Sequence, residues 1–292
     1  MSEVGPAFAP GFVVAPGYEV LAHVSRGGAF DVYDVWSEER QCRCIAKTLR
    51  PDRWGDPDAR RQLEAEGELL LRLSHPHIVR GYGRPTTENP LIVMETLSGE
   101  TLAHLIEHGE RLSPAEIGHL GVHLCSAVQY LHRHGVLHLD LKPSNVVAEA
   151  GRAKIIDVGV ARPPGPAPEG VGTWCYMAPE QVWGGELGAA ADAWGIGVVL
   201  WEAAAGKAAF GDEDDTDVSA SFTDDPLPAE EHPQVQRPAE PIARHRSLPP
   251  VLAEAIDVAL APRARDRLSV MALSGLLQQV PGVTSPRAHP PS

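Results

Sequence analysis

His138-Leu139-Asp140-Leu141-Lys142-Pro143-Ser144-Asn145 is the run on which the reading of this 292-residue chain turns. Two more segments follow it, Ile155-Ile156-Asp157-Val158-Gly159 and Gly172-Thr173-Trp174-Cys175-Tyr176-Met177-Ala178-Pro179-Glu180. Taken singly, an Asp or Asn in such a loop is ordinarily a turn residue, because its side chain hydrogen-bonds the nearby backbone. Three such segments in this order are far more specific than any one of them. Around them the chain has two characters. Upstream, YEVLAHV, DVYDVW and RCIAKTL alternate like strands between Tyr18 and Leu49, and IVRGYG and LIVMET add two more. One helix interrupts them, with Pro57 near its start and Leu63, Leu70 and Leu73 at helical spacing. After a joint near residues 95–99 the pattern is helical. Ser113 caps a long helix with Pro114 at its first position, and ADAWGIGVVLWEAAAG is apolar enough to be buried on all sides.

At the three quoted segments the chain resembles a protein kinase, specifically the catalytic domain of a bacterial-type (Hanks-type) serine/threonine protein kinase, over roughly residues 18–280. The resemblance implies an α+β, two-lobed protein-kinase-like fold. Residues 17–96 form a small β-rich N-lobe with one main helix, and 97–280 a larger, mainly α-helical C-lobe. Residues 1–16, rich in Gly, Pro and Ala, read as a flexible arm, about 211–247 as an acidic and Pro-rich insert, and 281–292 as a flexible tail.

The resemblance also assigns roles. Transfer of a γ-phosphoryl group needs positioning and charge neutralisation. Asp140 matches the residue that takes or orients the proton of the acceptor hydroxyl, and Lys142 the lysine that meets the γ-phosphate. Asn145 and Asp157 match the Mg2+ ligands. Lys47 matches the strand lysine on the α- and β-phosphates, with Glu66, nine residues before His75, as its helical partner. ATP is expected between the lobes, its phosphates toward Lys47, Asp157 and Asn145, with Gly27 and Val32 also among the nucleotide-binding residues, Met94 at the back of the adenine pocket and Glu95-Thr96-Leu97 as the hinge. Glu180 is expected to pair with Arg267, Asp192 to hold the backbone around Asp140, and Thr173 to contact Asp140 and Lys142. His138 is expected to be a packing residue and not a base.

Several positions depart from the family pattern. In Ser25-Arg26-Gly27-Gly28-Ala29-Phe30-Asp31-Val32 only the middle glycine of three remains. Ser25 and Phe30 stand where glycine lets the backbone approach phosphate. Ile45 is bulky over the adenine position, and Gly81 replaces an apolar residue. Leu139 replaces the arginine that binds a phosphorylated activation loop, and residues 158–172 contain no Ser, Thr or Tyr. An Arg–phosphate switch therefore has neither receptor nor acceptor, and activity is expected without activation-loop phosphorylation.

The composition sets bounds. Twenty-five Lys and Arg against 39 Asp and Glu give a formal charge of −14, which disfavours nucleic acid and anionic lipid as partners. Nine of the acids fall in 211–231, read as a solvated insert or a docking segment for a basic partner. No run of 18 apolar residues predicts a membrane span, and the first twenty residues lack a basic leader segment. Four cysteines, Cys42, Cys44, Cys125 and Cys175, are too few for a disulfide framework and fit a cytoplasmic location. Cys42 and Cys44 read as strand residues and not a metal pair, and Cys175 as exposed near the peptide-binding loop. His119 and His123, at i and i+4, read as a solvated helix face in preference to zinc ligands.

The resulting expectation is an ATP- and Mg2+-dependent transferase acting on Ser/Thr hydroxyls of proteins. The alternatives are a pseudokinase scaffold, favoured by the eroded glycine loop, and a small-molecule phosphotransferase, which Ala178-Pro179-Glu180 with Arg267 disfavours.

Overall fold

The computed structural model describes residues 5–211 and 228–283. The chain divides into two units, one running to Ser98 and including Asp157–Gly159, the other holding Gly99–Ile156 and the residues from Val160 onward.

The first unit is a six-stranded antiparallel sheet with one long helix. Its strands are β1 (Val13–Ala15), β2 (Tyr18–Arg26), β3 (Phe30–Ser37), β4 (Cys42–Leu49), β5 (Gly81–Gly83) and β6 (Leu91–Glu95), in the order β1-β2-β3-β4-β6-β5. Register decides what the sheet presents. Val32 pairs with Lys47, and Ile45 with Met94. Directly paired residues share a face, so Val32, Ile45 and Lys47 lie together, with Phe30 two residues along from Val32. The opposite face is the core, built on Val20, Tyr33, Val35, Cys44, Ala46, Leu91 and Val93. Ala7 and Phe8 pack against that core. Phe8 stacks on Phe12 at 4.1 Å and Tyr33 at 5.5 Å, and its N–H donates to Tyr33 Oη at 3.1 Å. The reading of 1–16 as a loose arm is therefore corrected from residue 5 onward. Its aromatics give the arm an anchor on the core that its Gly and Pro content does not announce. Residues 1–4 lie outside the described part.

Helix α1 (Pro57–Arg72) begins where Asp56 Oδ1 accepts the N–H groups of Asp58 and Ala59, both at 3.0 Å, with Pro57 at the first helical position. Its buried stripe is Ala59, Leu63, Glu66, Gly67 and Leu70. One carboxylate thus sits on an otherwise apolar face. Gly81 has a steric reason. A Cβ there would meet the carbonyl carbon and Cβ of Leu70 at 3.1 Å each, so a side chain would push α1 back by a few tenths of an ångström.

The second unit is mainly helical. A short sheet of β7 (Glu100–Thr101), β8 (Val146–Glu149) and β9 (Arg152–Ile155) lies beside α2 (Leu102–Glu107). Helix α3 (Pro114–Arg133) opens with a capping box, in which Ser113 N–H donates to Glu116 Oε2 and Glu116 N–H to Ser113 Oγ. Its His119 and His123 do not form a solvated face. Both are half-buried, His119 Nε2 at 3.3 Å from Gly282 O and His123 Nδ1 accepting Ala153 N–H at 3.3 Å. They face separate backbone partners because α3 packs against both β9 and the C-terminal segment.

Strands β10 (Gly165–Ala167) and β11 (Gly185–Leu187) flank α4 (Pro179–Trp183). Helix α5 (Ala189–Ala205) is buried nearly throughout, and α7 (Pro250–Ala259) and α8 (Val270–Leu277) pack on it. Between them α6 (Pro233–Gln236) and a turn at Ile242–Arg244 are packed, with His232, Gln234 and Ile242 buried and Trp201 Nε1 donating to Glu240 O at 2.8 Å. The latter part of the 211–247 insert is thus anchored by His232, Gln234 and Ile242, while Pro228, Glu230 and Glu231 stay exposed. Trp174 O, which Gln234 Nε2 caps at 2.7 Å, gives it a polar anchor. The acidic stretch 212–227 and the tail from 284 lie outside the described residues.

Candidate active site

In the first unit, β4 carries Lys47 and α1 carries Glu66. Lys47 Nζ donates to Glu66 Oε1 at 3.0 Å, to Glu66 Oε2 at 2.8 Å and to Asp157 Oδ2 at 2.8 Å. The second oxygen of Asp157 accepts Gly159 N–H at 2.7 Å. Lys47 and Glu66 are buried, while the Asp157 side chain is 36% exposed. Burial alone would strip Lys47 of its proton, but the Asp157 and Glu66 carboxylates outweigh it and raise the lysine above its ordinary value. Burial is also the largest influence on Glu66 and, with the Asp157 charge nearby, pushes it up to about 7 against the pull of Lys47. The site holds one ammonium between two carboxylates, an excess negative charge that a cation on Asp157 would neutralise. Glu64 and Glu68 point elsewhere, to Arg60 and Arg84.

The glycine-loop segment is a tight hairpin. Gly27 N–H donates to Phe30 O at 2.8 Å, and Arg50 Nη1 donates to Gly27 O and Gly28 O at 3.2 and 2.9 Å. Arg26 forks onto Asp31, with Nε at 2.8 Å from Oδ1 and Nη2 at 2.8 Å from Oδ2. Burial raises the Asp31 pKa, but the bonds from Arg26 and His23 outweigh it and hold the carboxyl low. Arginines and an aspartate thus fix a turn that glycines leave free in the family pattern. Phe30 is 8% exposed, and its ring centroid lies 5.1 Å from Lys47 Nζ. The Lys47 ammonium thus lies against an aromatic face. At the end of β6, Glu95 N–H donates to Arg80 O and Glu95 Oε1 accepts Arg80 N–H, while Met94 is buried. Thr96 Oγ1 is buried without a hydrogen-bond partner among the described residues.

In the second unit, Asp140 is held from three sides. Its Oδ1 accepts Thr173 N–H at 2.9 Å and Thr173 Oγ1 at 2.6 Å, and its Oδ2 accepts Asn145 Nδ2 at 3.2 Å. The Asn145 amide nitrogen also donates to Asp140 O at 3.0 Å, which leaves its side-chain oxygen as the available donor to a cation. Lys142 precedes the turn Pro143–Asn145 that carries Asn145. Beneath this loop Asp192, on α5, accepts His138 N–H at 2.9 Å, Leu139 N–H at 2.7 Å and His132 Nε2 at 2.7 Å. The contact from His132 carries no signal in the sequence, since a histidine near the end of a long helix has no motif around it. His138 itself is fully buried and its Nδ1 accepts Asp140 N–H at 3.2 Å, a packing role. Arg267 forks onto Glu180 at 2.6 and 2.9 Å. Cys175, read as exposed, is 2% exposed, inside the turn that Tyr176 and Met177 N–H close on Thr173 O. Gln181 was missed. Its signal was slight, a glutamine three residues after Ala178 at a helix start.

A family model described as a protein kinase domain matches residues 18–277. A probable serine/threonine-protein kinase of Streptomyces coelicolor is 33% identical over 198 residues, covering 63% of this chain and 29% of that protein. Serine/threonine-protein kinase PknB of Mycobacterium tuberculosis is 29% identical over 272 residues, 87% of this chain and 41% of its own length. The chain thus spans about a third of the length of such curated relatives. The crystal structure of the M. tuberculosis PknI kinase domain shares the fold, with a TM-score of 0.70 at 24% identity over 94% of this chain and 99% of that one. With its β-rich and helical units, the Lys47–Glu66–Asp157 chain and the Asp140 loop, this chain belongs to the protein kinase family, as a catalytic domain of the bacterial serine/threonine type.

Proposed function

We propose that the domain transfers the γ-phosphate of ATP to Ser/Thr hydroxyls of protein substrates. The observation that carries this reading is Lys47 bridging Glu66 and Asp157 within 3.0 Å. Lys47 holds the α- and β-phosphates, Gly27 and Val32 lie along the nucleotide, and the backbone at Glu95 and Leu97 meets the adenine edge. Thr96 Oγ1, buried and unpartnered, offers a hydroxyl beside that edge. Asn145 and Asp157 supply hard oxygen donors of the kind Mg2+ prefers. Bound there, Mg2+ neutralises phosphate charge during transfer. Asp140 orients the acceptor hydroxyl and takes its proton, Thr173 fixes the carboxylate, and Lys142 meets the transferred phosphoryl group. The domain acts without activation-loop phosphorylation, since Leu139 is no phosphate receptor and residues 158–172 have no acceptor. Among the described residues no helix is long and apolar enough to cross a membrane. Cys42, Cys44, Cys125 and Cys175 are not joined in disulfides, in keeping with a reducing, cytoplasmic location for this domain.

Incubation with Mg2+, labelled ATP and a generic basic protein tests the reading. Label on protein Ser or Thr is the expected result. Stabilisation by ATP with no transfer supports the pseudokinase reading, which Phe30 over Lys47 favours, and label on a metabolite alone supports a small-molecule enzyme. Phe30 gives a second prediction. A cation–π contact of this kind is worth about 0.5–2 kcal/mol, so Phe30→Gly should tighten ATP binding roughly 2- to 30-fold in calorimetry. Unchanged or weaker binding would mean that the ring does not compete with phosphate.

A further inference from the structure

Leu139 and Gly172 have conformations that few residues adopt. Leu139, directly before Asp140, has φ 64°, and Gly172, directly before Thr173, has φ 125°. A left-handed non-glycine residue persists only where its surroundings fix it. Leu139 N–H is fixed by Asp192 Oδ1 at 2.7 Å, and its carbonyl by the Gln181 side chain, whose Nε2 donates at 2.8 Å. The same Nε2 donates to Val171 O at 2.6 Å, and Gln181 Oε1 accepts Ala178 N–H at 3.0 Å. Its main-chain carbonyl accepts Gly170 N–H at 3.0 Å. Gln181 is 2% exposed. One buried neutral amide therefore ties the catalytic loop, the end of the activation segment and the substrate-side loop together. A Cβ at position 172 would stand 2.8 Å from Leu139 O and 3.1 Å from Gln181 Nε2, so only glycine fits beside the clamp.

The rest of the segment is also tied down by backbone bonds. Leu137 and Arg162 exchange N–H···O bonds at 2.8 and 3.1 Å, and Gly165–Ala167 pair with Gly185–Leu187. An order–disorder switch driven by phosphate needs a cationic receptor, and position 139 has none. We propose that Gln181 is a positioning residue that takes over this task, holding Leu139 and Val171 so that Asp140 and Thr173 stay aligned with no phosphate. The inference rests on the kinase reading. It adds the residue that makes phosphorylation unnecessary.

Two variants of the full chain test it, with turnover measured on a basic protein and ATP binding by calorimetry. Gln181→Leu keeps the volume and loses all three side-chain bonds. It should lower kcat at least tenfold and leave ATP affinity within twofold, because Lys47 and Asp157 lie in the other unit. Gln181→Glu should lose a similar factor at pH 8. Its ratio to wild type should recover as the pH falls, since a protonated carboxyl regains a donor. A folded Gln181→Leu variant with wild-type kcat, a parallel loss of ATP affinity, or a pH-independent ratio for Gln181→Glu would overturn the proposal. If the wild type transfers no label at all, the kinase reading fails instead. The clamp is then judged by hydrogen exchange: the Gly170 and Thr173 amides should exchange faster in Gln181→Leu, and unchanged protection would overturn it.

Discussion

Asp140→Asn is expected to reduce transfer to protein by about 10²- to 10⁴-fold, the range that a positioned proton acceptor contributes. ATP affinity should stay near wild type. The Thr173 bonds define how the substitution acts. Both fall on Oδ1 of Asp140, at 2.9 and 2.6 Å, and an asparagine oxygen in that place accepts them equally well. The other position would become an NH2 group facing Asn145 Nδ2, which now donates to Oδ2 at 3.2 Å. That donor–donor conflict replaces one hydrogen bond and should cost about 1–3 kcal/mol of stability at most. The variant therefore folds and binds nucleotide but cannot take the hydroxyl proton. Single-turnover kinetics beside calorimetry check this. Transfer at more than a tenth of the wild-type rate would remove Asp140 from the reaction, and lost ATP affinity would mean that the substitution acts through folding.

How much of this was legible depends on distance along the chain and on the kind of group involved. The candidate residues Lys47, Glu66, Asp140, Asn145 and Asp157 were legible through the resemblance to the kinase family, whose polar residues stand in short runs of fixed spacing. The same resemblance paired Glu180 with Arg267, 87 residues apart. The sheet was readable because β3 and β4 alternate, and α1 and α3 because Asp56–Pro57 and Ser113–Pro114–Glu116 are strong start signals. What the sequence hid were groups acting through geometry without a motif. Phe8 is half-buried because Tyr33 and Trp54 meet it from other segments and Phe12 stacks on it from four residues along. Gly81 looks like a lost apolar contact until Leu70 is seen 3.1 Å from where its Cβ would stand. The hairpin locked by Arg26, Asp31 and Arg50 appears in sequence only as missing glycines. Gln181 is neutral, and nothing about one glutamine states that three carbonyl or amide groups converge on it.

Arg267→Met should be the most destabilising change in the second unit. The guanidinium side chain is fully buried and every N–H has an acceptor: Glu180 Oε1 and Oε2, Ala261 O at 2.8 Å, Ala190 O at 2.9 Å and Pro262 O at 3.1 Å. Its Cζ also lies 5.0 Å from the Trp194 ring centroid. Methionine fills much of the space but removes the cation paired with Glu180 and a donor from each of three carbonyls. Removing one member of a buried ion pair costs about 3–5 kcal/mol, or roughly 10 °C in melting temperature for a domain of this size. Glu180→Gln should cost less, because Glu180 is 22% exposed and glutamine still accepts one bond from the fork. The order follows from where the unpaired charge is left. After Glu180→Gln the cation keeps three carbonyls and an aromatic face, whereas after Arg267→Met the carboxylate keeps only partial access to water. A double-mutant cycle in urea should show the double variant little worse than Arg267→Met alone, since both remove one coupled interaction. Purely additive losses, or a loss below about 1 kcal/mol for Arg267→Met, would place the pair among solvated surface bridges, whose worth is typically that small. Because α4 carries both Glu180 and Gln181, the same variant should also lower kcat at temperatures where it remains folded.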